Sequence, residues 1–285
     1  MGAEIINGKE LSKSLKGKMK KEVSILKDKG LIPHLTVVLV GDNPASKSYV
    51  SGKEKASREV GISSEIIHLE NSIAEKDLLE VIDKLNKDKN VHGILVQLPL
   101  PEHIQEQHVI EAINPAKDVD GFHPINIGRM MTGQDTFLPC TPYGIITMLK
   151  SKNIPMEGRH AVIIGRSNIV GKPIGQMLLN EHATVTYCHS RTPNLKEHTT
   201  KADILIVAIG KANVITADYI KEDTVVIDVG INRLDNGKLT GDVHFEEVER
   251  KAAYLTPVPR GVGPMTITML LENTIKAAKG LTNID

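Results

Sequence analysis

Tyr49 and Lys53 stand four residues apart, the spacing that sets two side chains on one face of a helix. They follow a buried run, LTVVLV at 35–40, so the pair falls near the carboxyl end of a strand, where open α/β sheets gather their ligands. The alternative is a solvated helix face, the usual setting for a Tyr-x-x-x-Lys pair. Gln97 closes another apolar run and leads into Leu98-Pro99-Leu100-Pro101. An amide at a strand end with a proline-stiffened exit can orient a ligand or simply form a turn. Asp118 and Asp120 flank Val119 just before Gly121, and paired acids in such a loop are commonly solvated or cap a turn.

A second group of residues points to phosphate. Gly165-Arg166-Ser167-Asn168-Ile169-Val170-Gly171-Lys172-Pro173-Ile174-Gly175 runs from the buried strand AVIIG into a helix, and in that setting backbone amides and the helix dipole hold a diphosphate. Ser167 occupies the usual central glycine position, so the fingerprint is degenerate and rests on its strand-turn-helix context, against the alternative of a plain turn. The next strand ends in His189-Ser190-Arg191. An NAD site places a carboxylate there for the ribose hydroxyls, whereas a 2′-phosphate needs cations and hydroxyls. Ser190 and Arg191, with Arg166 in the turn, therefore favour NADP over NAD; the alternative is a solvated arginine pair. Late in the chain, Thr256-Pro257-Val258-Pro259-Arg260-Gly261-Val262-Gly263-Pro264 stiffens a turn directly before a helix. Such a turn lets backbone approach a flat ligand, or serves as a rigid connector.

These residues need a scaffold, and the apolar pattern supplies one. Leu11, Leu15, Met19, Val23 and Leu26 recur at helical spacing up to Gly30. After the strand at 35–40 a helix is expected through Tyr49 and Ala56 to Gly61. A strand at 65–69, a helix near 73–87, a strand at 92–98 and a helix near 104–113 follow. The stretch 114–130 is rich in Pro, Gly and Asp and breaks the rhythm, and a helix near 142–152 is expected to bridge two domains. Strands at 161–165, 183–188, 203–210 and 224–230 form a second series of nucleotide-binding type. The expected class is α/β: two α/β domains, an N-terminal parallel-sheet domain and a C-terminal Rossmann-like domain. The helix from Met265 onward is expected to return to the first. The boundaries are then 1–141 completed by 265–285, and 142–264.

Bulk composition narrows the function class. Thirty-five basic residues balance thirty-five acidic ones, which removes the electrostatic footprint of a nucleic-acid binder. No apolar run reaches the roughly 18 residues needed to span a bilayer, so no membrane partner is expected. The first residues lack the basic-then-apolar pattern of a secretory signal, and a cytoplasmic location is expected. Cys140 and Cys188 lack zinc-site spacing and read as reduced thiols; no metal is expected. Aromatic residues make up 3% of the chain and tryptophan is absent, so a flat ligand has few stacking partners and Tyr49 gains weight.

Several separated stretches together resemble one family, the bifunctional methylenetetrahydrofolate dehydrogenase/methenyltetrahydrofolate cyclohydrolases. They are SYVSGKEKA (48–56), HGILVQLPLP (92–101), KDVDGFHPINIGR (117–129), PCTPYGI (139–145), GRSNIVGKP (165–173), CHSRT (188–192), DVGIN (228–232) and TPVPRGVGPMT (256–266). The resemblance implies NADP-dependent oxidation of methylenetetrahydrofolate, then hydrolysis of the methenyl product to 10-formyltetrahydrofolate. It implies that Tyr49, Lys53, Gln97 and Asp120 are catalytic and line the folate site. Pro259, Gly261, Val262 and Gly263 would contact the substrate, and Gly165, Arg166, Ser167, Ser190, Arg191 and Ile231 would hold NADP. A homodimer formed through the nucleotide-binding domains is also implied. Hydride transfer then needs positioning more than a protein base. Hydrolysis needs a group to orient water and manage protons, and Lys53 is the candidate. One departure stands out: the family usually has glycine where this chain has Arg260. At positive φ an arginine there is strained by about 1 kcal/mol or more; its cation can alternatively meet the substrate's glutamate tail.

Overall fold

Each apolar run picked out above forms a parallel strand in the computed structural model, which describes residues 2–284. In chain order the elements are β1 (Glu4–Ile5), α1 (Gly8–Asp28), β2 (His34–Val40), α2 (Pro44–Val60), β3 (Ser63–Leu69), α3 (Glu75–Lys87), β4 (Gly93–Val96), α4 (Glu106–Ala112) and α5 (Pro124–Met131). There follow α6 (Cys140–Ser151), β5 (His160–Ile164), α7 (Gly171–Asn180), β6 (Thr184–Cys188), α8 (Leu195–Thr199) and β7 (Ile204–Val207). The chain ends with β8 (Val225–Asp228), β9 (Asn232–Arg233), β10 (Leu239–Thr240), α9 (Phe245–Val248), β11 (Tyr254–Leu255) and α10 (Val262–Thr282).

The chain divides into two compact units. One comprises Ser14–Leu138 and Ile267–Asp285, the other Met1–Lys13 and Pro139–Thr266. The expected division lay at 141/142 and 264/265 and gave the whole N-terminus to the first domain; residues up to Lys13 instead group with the second strand series. That grouping has a plain cause. β1 pairs with β11 in parallel, Glu4 opposite Tyr254, and a two-residue edge strand shows no period to read in sequence. The expected bridging helix is α6, and it lies wholly within the 139–266 stretch. The boundaries fall instead inside α1 and α10 and just ahead of α6.

In the 14–138 unit the sheet order is β3-β2-β4, all parallel, with Val37 opposite both Ile66 and Leu95. A bridge from Ile94 to Asp118 lays the segment around 118 along the free side of β4. Leu78 and Ile82 of α3, both fully buried, pack with Val38, Ile94 and Val109, and each such side chain contributes about 1.5–3 kcal/mol through burial. The stretch 114–130 that breaks the strand–helix rhythm contains most of α5, because Pro124 sits at the first helical turn and His123 Nδ1 accepts from Ile125 N–H at 3.1 Å. Proline starts a helix at that position rather than breaking it.

The other unit holds a parallel sheet in the order β1-β11-β8-β7-β5-β6. Its core includes Val162, Leu205, Val226 and Leu255. Strands buried on both faces read as continuous apolar runs, which is why ILIV at 204–207 and VVI at 225–227 were legible.

Candidate active site

Lys53, like Lys117 of the same unit, is only 5% exposed and must satisfy its ammonium within the protein. Helix α2 sets its position. Asn43 caps that helix, its side chain accepting from Ala45 and Ser46 N–H at 2.9 and 3.2 Å, with Pro44 opening the first turn and Gly61 closing the last at φ 89°. One turn before Lys53, the Tyr49 ring lies with its centroid 5.2 Å from Nζ, within cation–π range.

Gln97 completes the arrangement from β4. Its backbone N–H donates to Val38 O at 2.9 Å, extending the pairing with β2 one residue past the strand. Its side-chain Nε2 donates to Leu98 O at 2.6 Å, which turns Oε1 toward Lys53 Nζ at 3.0 Å. An ammonium only donates, so the carbonyl end of the amide is the end it requires. The Leu98–Pro99 peptide that follows is cis. Three of the expected catalytic residues are thus brought together. Asp120, half-buried, lies two residues beyond the point where the chain bridges to Ile94 of β4.

Asp118, the other acid of the pair, does different work. It is 2% exposed and accepts from the N–H groups of Gly121, Phe122 and His123 and from Asn126 Nδ2, at 2.8 to 3.3 Å. Burial pushes its pKa up, opposed by those hydrogen bonds. It is the turn-capping reading that holds for Asp118, and it anchors the loop that carries Asp120.

In the other unit the strand-turn-helix motif has the geometry that a diphosphate needs. Gly165 adopts φ +138°, and a Cβ there would lie 2.4 Å from Ala208 O, so only glycine fits the turn. Ser167 Oγ accepts from Val170 and Gly171 N–H at 3.1 and 3.2 Å, capping α7. Arg166, Ser190 and Arg191 are exposed, and among the described residues neither guanidinium has a hydrogen bond or ion pair. Two free cations and a hydroxyl beside a helix N-terminus match a phosphorylated dinucleotide. Ile231 is 56% exposed. Its neighbour Gly230 and the turn Pro259, Gly261, Val262 and Gly263 share the lining of a cavity of about 230 Å³. Arg260 adopts φ +85°, so the strain expected of an arginine there is present, about 1–2 kcal/mol.

Two family models match the chain. The tetrahydrofolate dehydrogenase/cyclohydrolase catalytic domain matches residues 6–120, and the NAD(P)-binding domain of the same family matches residues 139–282. The chain belongs to the tetrahydrofolate dehydrogenase/cyclohydrolase family. It is 72% identical to the bifunctional protein FolD of Oceanobacillus iheyensis over 283 residues, 99% of each chain. The solved bifunctional FolD of Campylobacter jejuni has 53% identity and a TM-score of 0.97, covering 98% of this chain and 99% of that one. The Trypanosoma brucei dehydrogenase-cyclohydrolase, solved in complex with NADP and an inhibitor, has 34% identity and a TM-score of 0.95, covering 98% of both chains. The α/β class and the family resemblance read from sequence are both borne out. Lys53 and Gln97 fall within the stretch matched as the catalytic domain, and the phosphate turn within that matched as NAD(P)-binding.

Proposed function

We propose that this chain oxidises 5,10-methylenetetrahydrofolate with NADP and hydrolyses the methenyl product to 10-formyltetrahydrofolate, with Lys53 as the proton-handling group of the second step. The observation that carries the assignment to Lys53 is its burial together with the 3.0 Å bond to Gln97. NADP supplies the hydride acceptor. The substrate's own nitrogens assist departure of the hydride, so the chain's task in that step is to hold the reacting carbon in place. Water then adds to the cationic methenyl carbon and loses a proton, and the bond from that carbon to N5 breaks as N5 takes up a proton, which leaves the formyl group on N10. Lys53 orients that water and, as the neutral amine, takes its proton. Gln97 fixes the amine's direction, and Tyr49 presents a ring face to the folate ring system. Asp120 accepts from the pterin ring and amino nitrogens.

For the cofactor, Gly165, Ser167 and the first turn of α7 hold the diphosphate. Arg166, Ser190 and Arg191 take the 2′-phosphate, and Ile231 offers an apolar contact. Pro259, Gly261, Val262 and Gly263 contact the folate. The unit 14–138 with 267–285 is thus the folate unit and the other the cofactor unit. A homodimer through the cofactor unit is supported by β6, an edge strand with Tyr187 41% exposed, beside α7 with Leu179 52% exposed; light scattering on purified protein tests it. Cys140 and Cys188, both buried and neither in a disulfide, suit a cytoplasmic enzyme. The reaction is tested by following methenyltetrahydrofolate absorbance with methylenetetrahydrofolate and NADP or NAD. A rise with NADP followed by decay is expected; a rise without decay removes the hydrolase, and equal rates with NAD remove the arginine reading.

A further inference from the structure

The cofactor unit contains two buried carboxylates that neither the folate chemistry nor the phosphate turn uses. Asp242 is fully buried and Asp228 is 3% exposed. Asp242 accepts from three consecutive backbone N–H groups, Ile209, Gly210 and Lys211, at 2.6, 2.9 and 2.9 Å. It also accepts from Asn232 Nδ2 at 2.8 Å. Asp228 accepts from the N–H groups of Gly230, Asp242 and Val243 at 3.0, 3.0 and 2.9 Å. Among the described residues no cation pairs with either acid, so amide donors alone compensate their burial. The surrounding backbone leaves no room for anything larger. A Cβ on Gly230 would lie 2.2 Å from the Asp242 carboxyl group, and one on Gly241 would lie 1.8 Å from Asp228 Oδ2.

The loops these acids hold lie where a doubly wound sheet takes its ligand. β5 has β6 on one side and β7 on the other, so the chain reverses its winding between β5 and β7. The crevice beyond the carboxyl ends of such neighbours is the ligand position of these sheets. Its two walls are the Gly165 turn and the loop after β7. They already touch, since the missing Cβ of Gly165 is what makes room for Ala208 O. Asp242 grips the next residues of that loop from beneath, where Gly210 and Lys211 are exposed and the acid is not. Through Asn232 it also holds the residue that follows Ile231.

We propose that Asp242 is a positioning residue for NADP, setting the backbone of residues 209–211 against the Gly165 turn and fixing the Ile231 segment through Asn232, without itself touching the cofactor. Asp228 acts one step further back, holding Asp242's own backbone N–H. The inference rests on NADP binding by this unit.

The test is Asp242→Asn in the full-length enzyme, which preserves shape but replaces one acceptor oxygen by a donor facing backbone N–H groups. The KM for NADP in the dehydrogenase assay should rise about tenfold or more, the scale of one mis-set buried hydrogen bond. Methenyltetrahydrofolate hydrolysis, assayed without NADP, should stay within about twofold, because a cofactor-positioning role does not enter that step. An unchanged KM for NADP in folded Asp242→Asn protein, or equal loss of both activities, overturns the proposal. If that variant does not fold, Asn232→Ala carries the test. It removes one donor and leaves the three-amide grip, so a rise of about threefold or more in KM for NADP supports the role, and no rise overturns it. Saturable NADP dependence of the unaltered enzyme is read in the same assay, and its absence would indict the cofactor reading rather than Asp242.

Discussion

The two units bury acids alike, on backbone N–H groups, but hold the cations assigned to their chemistry in opposite ways. In the folate unit the Lys53 ammonium is buried and its direction is fixed by side chains, Gln97 on one side and the Tyr49 ring on the other, while the equally buried Lys117 donates to the carbonyls of Leu85 and Asp88. In the cofactor unit the cations, Arg166 and Arg191, are exposed and unpartnered, while the buried acids, Asp228 and Asp242, accept from backbone N–H groups. The difference fits the role proposed for each. A proton-transfer group needs a perturbed, desolvated setting that exists before substrate arrives. A phosphate is already fully charged and needs donors of fixed geometry and cations that gain a partner on binding. In the roles proposed above, buried acids hold the donors still and exposed arginines supply the charge.

The comparison is broken most severely at Lys53. Lys53→Met keeps much of the apolar stem and removes the amine, so methenyl hydrolysis should fall about 100-fold or more. Dehydrogenase activity should survive in part and the KM for NADP should barely move. Normal hydrolysis by this variant would return Lys53 to a structural role. Next come Arg166→Ala and Arg191→Ala, each expected to weaken NADP by about 1.5–3 kcal/mol while leaving NAD nearly untouched. Steady-state kinetics with both cofactors reads the difference, and equal losses on NAD would show that the arginines do not meet the 2′-phosphate.

The buried acids offer a pH test. Burial, with the like charge of Asp242 adding to it, raises Asp228 from 3.8 to about 7. Its folded pKa lies above its unfolded one, so the folded state holds the proton better, and stability attributable to Asp228 falls as pH rises from about 4 to about 7. Compared with Asp228→Asn, the unaltered enzyme should therefore lose relative stability between pH 5 and pH 8, by on the order of 2 kcal/mol. Denaturant melts at the two pH values measure it, and a gap that does not change with pH contradicts the assignment.

The smallest effect is expected at Arg260. Arg260→Gly relieves strain of about 1–2 kcal/mol but adds unfolded-state freedom of about 0.4–1 kcal/mol, so stability should rise by about 1 kcal/mol or less. The exposed guanidinium is worth about 0.2–1 kcal/mol toward an anionic ligand. The folate KM should then shift by at most about fivefold, with kcat unchanged. An unchanged KM on both mono- and polyglutamylated substrate would mean that the side chain points into solvent.

Periodicity made the two sheets legible, because a buried parallel strand is a continuous apolar run and the helices between them carry their own stripe. It did not show β1 or β11, each two residues long, nor α5, whose leading proline reads as a breaker. The pairing of Lys53 with Gln97 spans 44 positions and leaves no local signal; the family resemblance pointed to both residues, and neither spacing nor composition joined them. Asp228 and Asp242 were harder still. Asp228 ends an apolar run two residues before Gly230 and Asp242 follows Gly241, and their role depends on loops brought together by the sheet order. Asp118 and Asp120 looked alike in sequence, and only the hydrogen bonds of Asp118 separate the turn anchor from its neighbour.

The central claim is that proton handling and cofactor holding are energetically separate in this enzyme. A double-mutant cycle on dehydrogenase kcat/KM for NADP, using Lys53→Met, Arg166→Ala and the combined variant, tests it most directly. The account predicts that the two losses add to within about 0.5 kcal/mol, as for independent sites. A coupling above about 1 kcal/mol, the range of residues sharing one network, would contradict it.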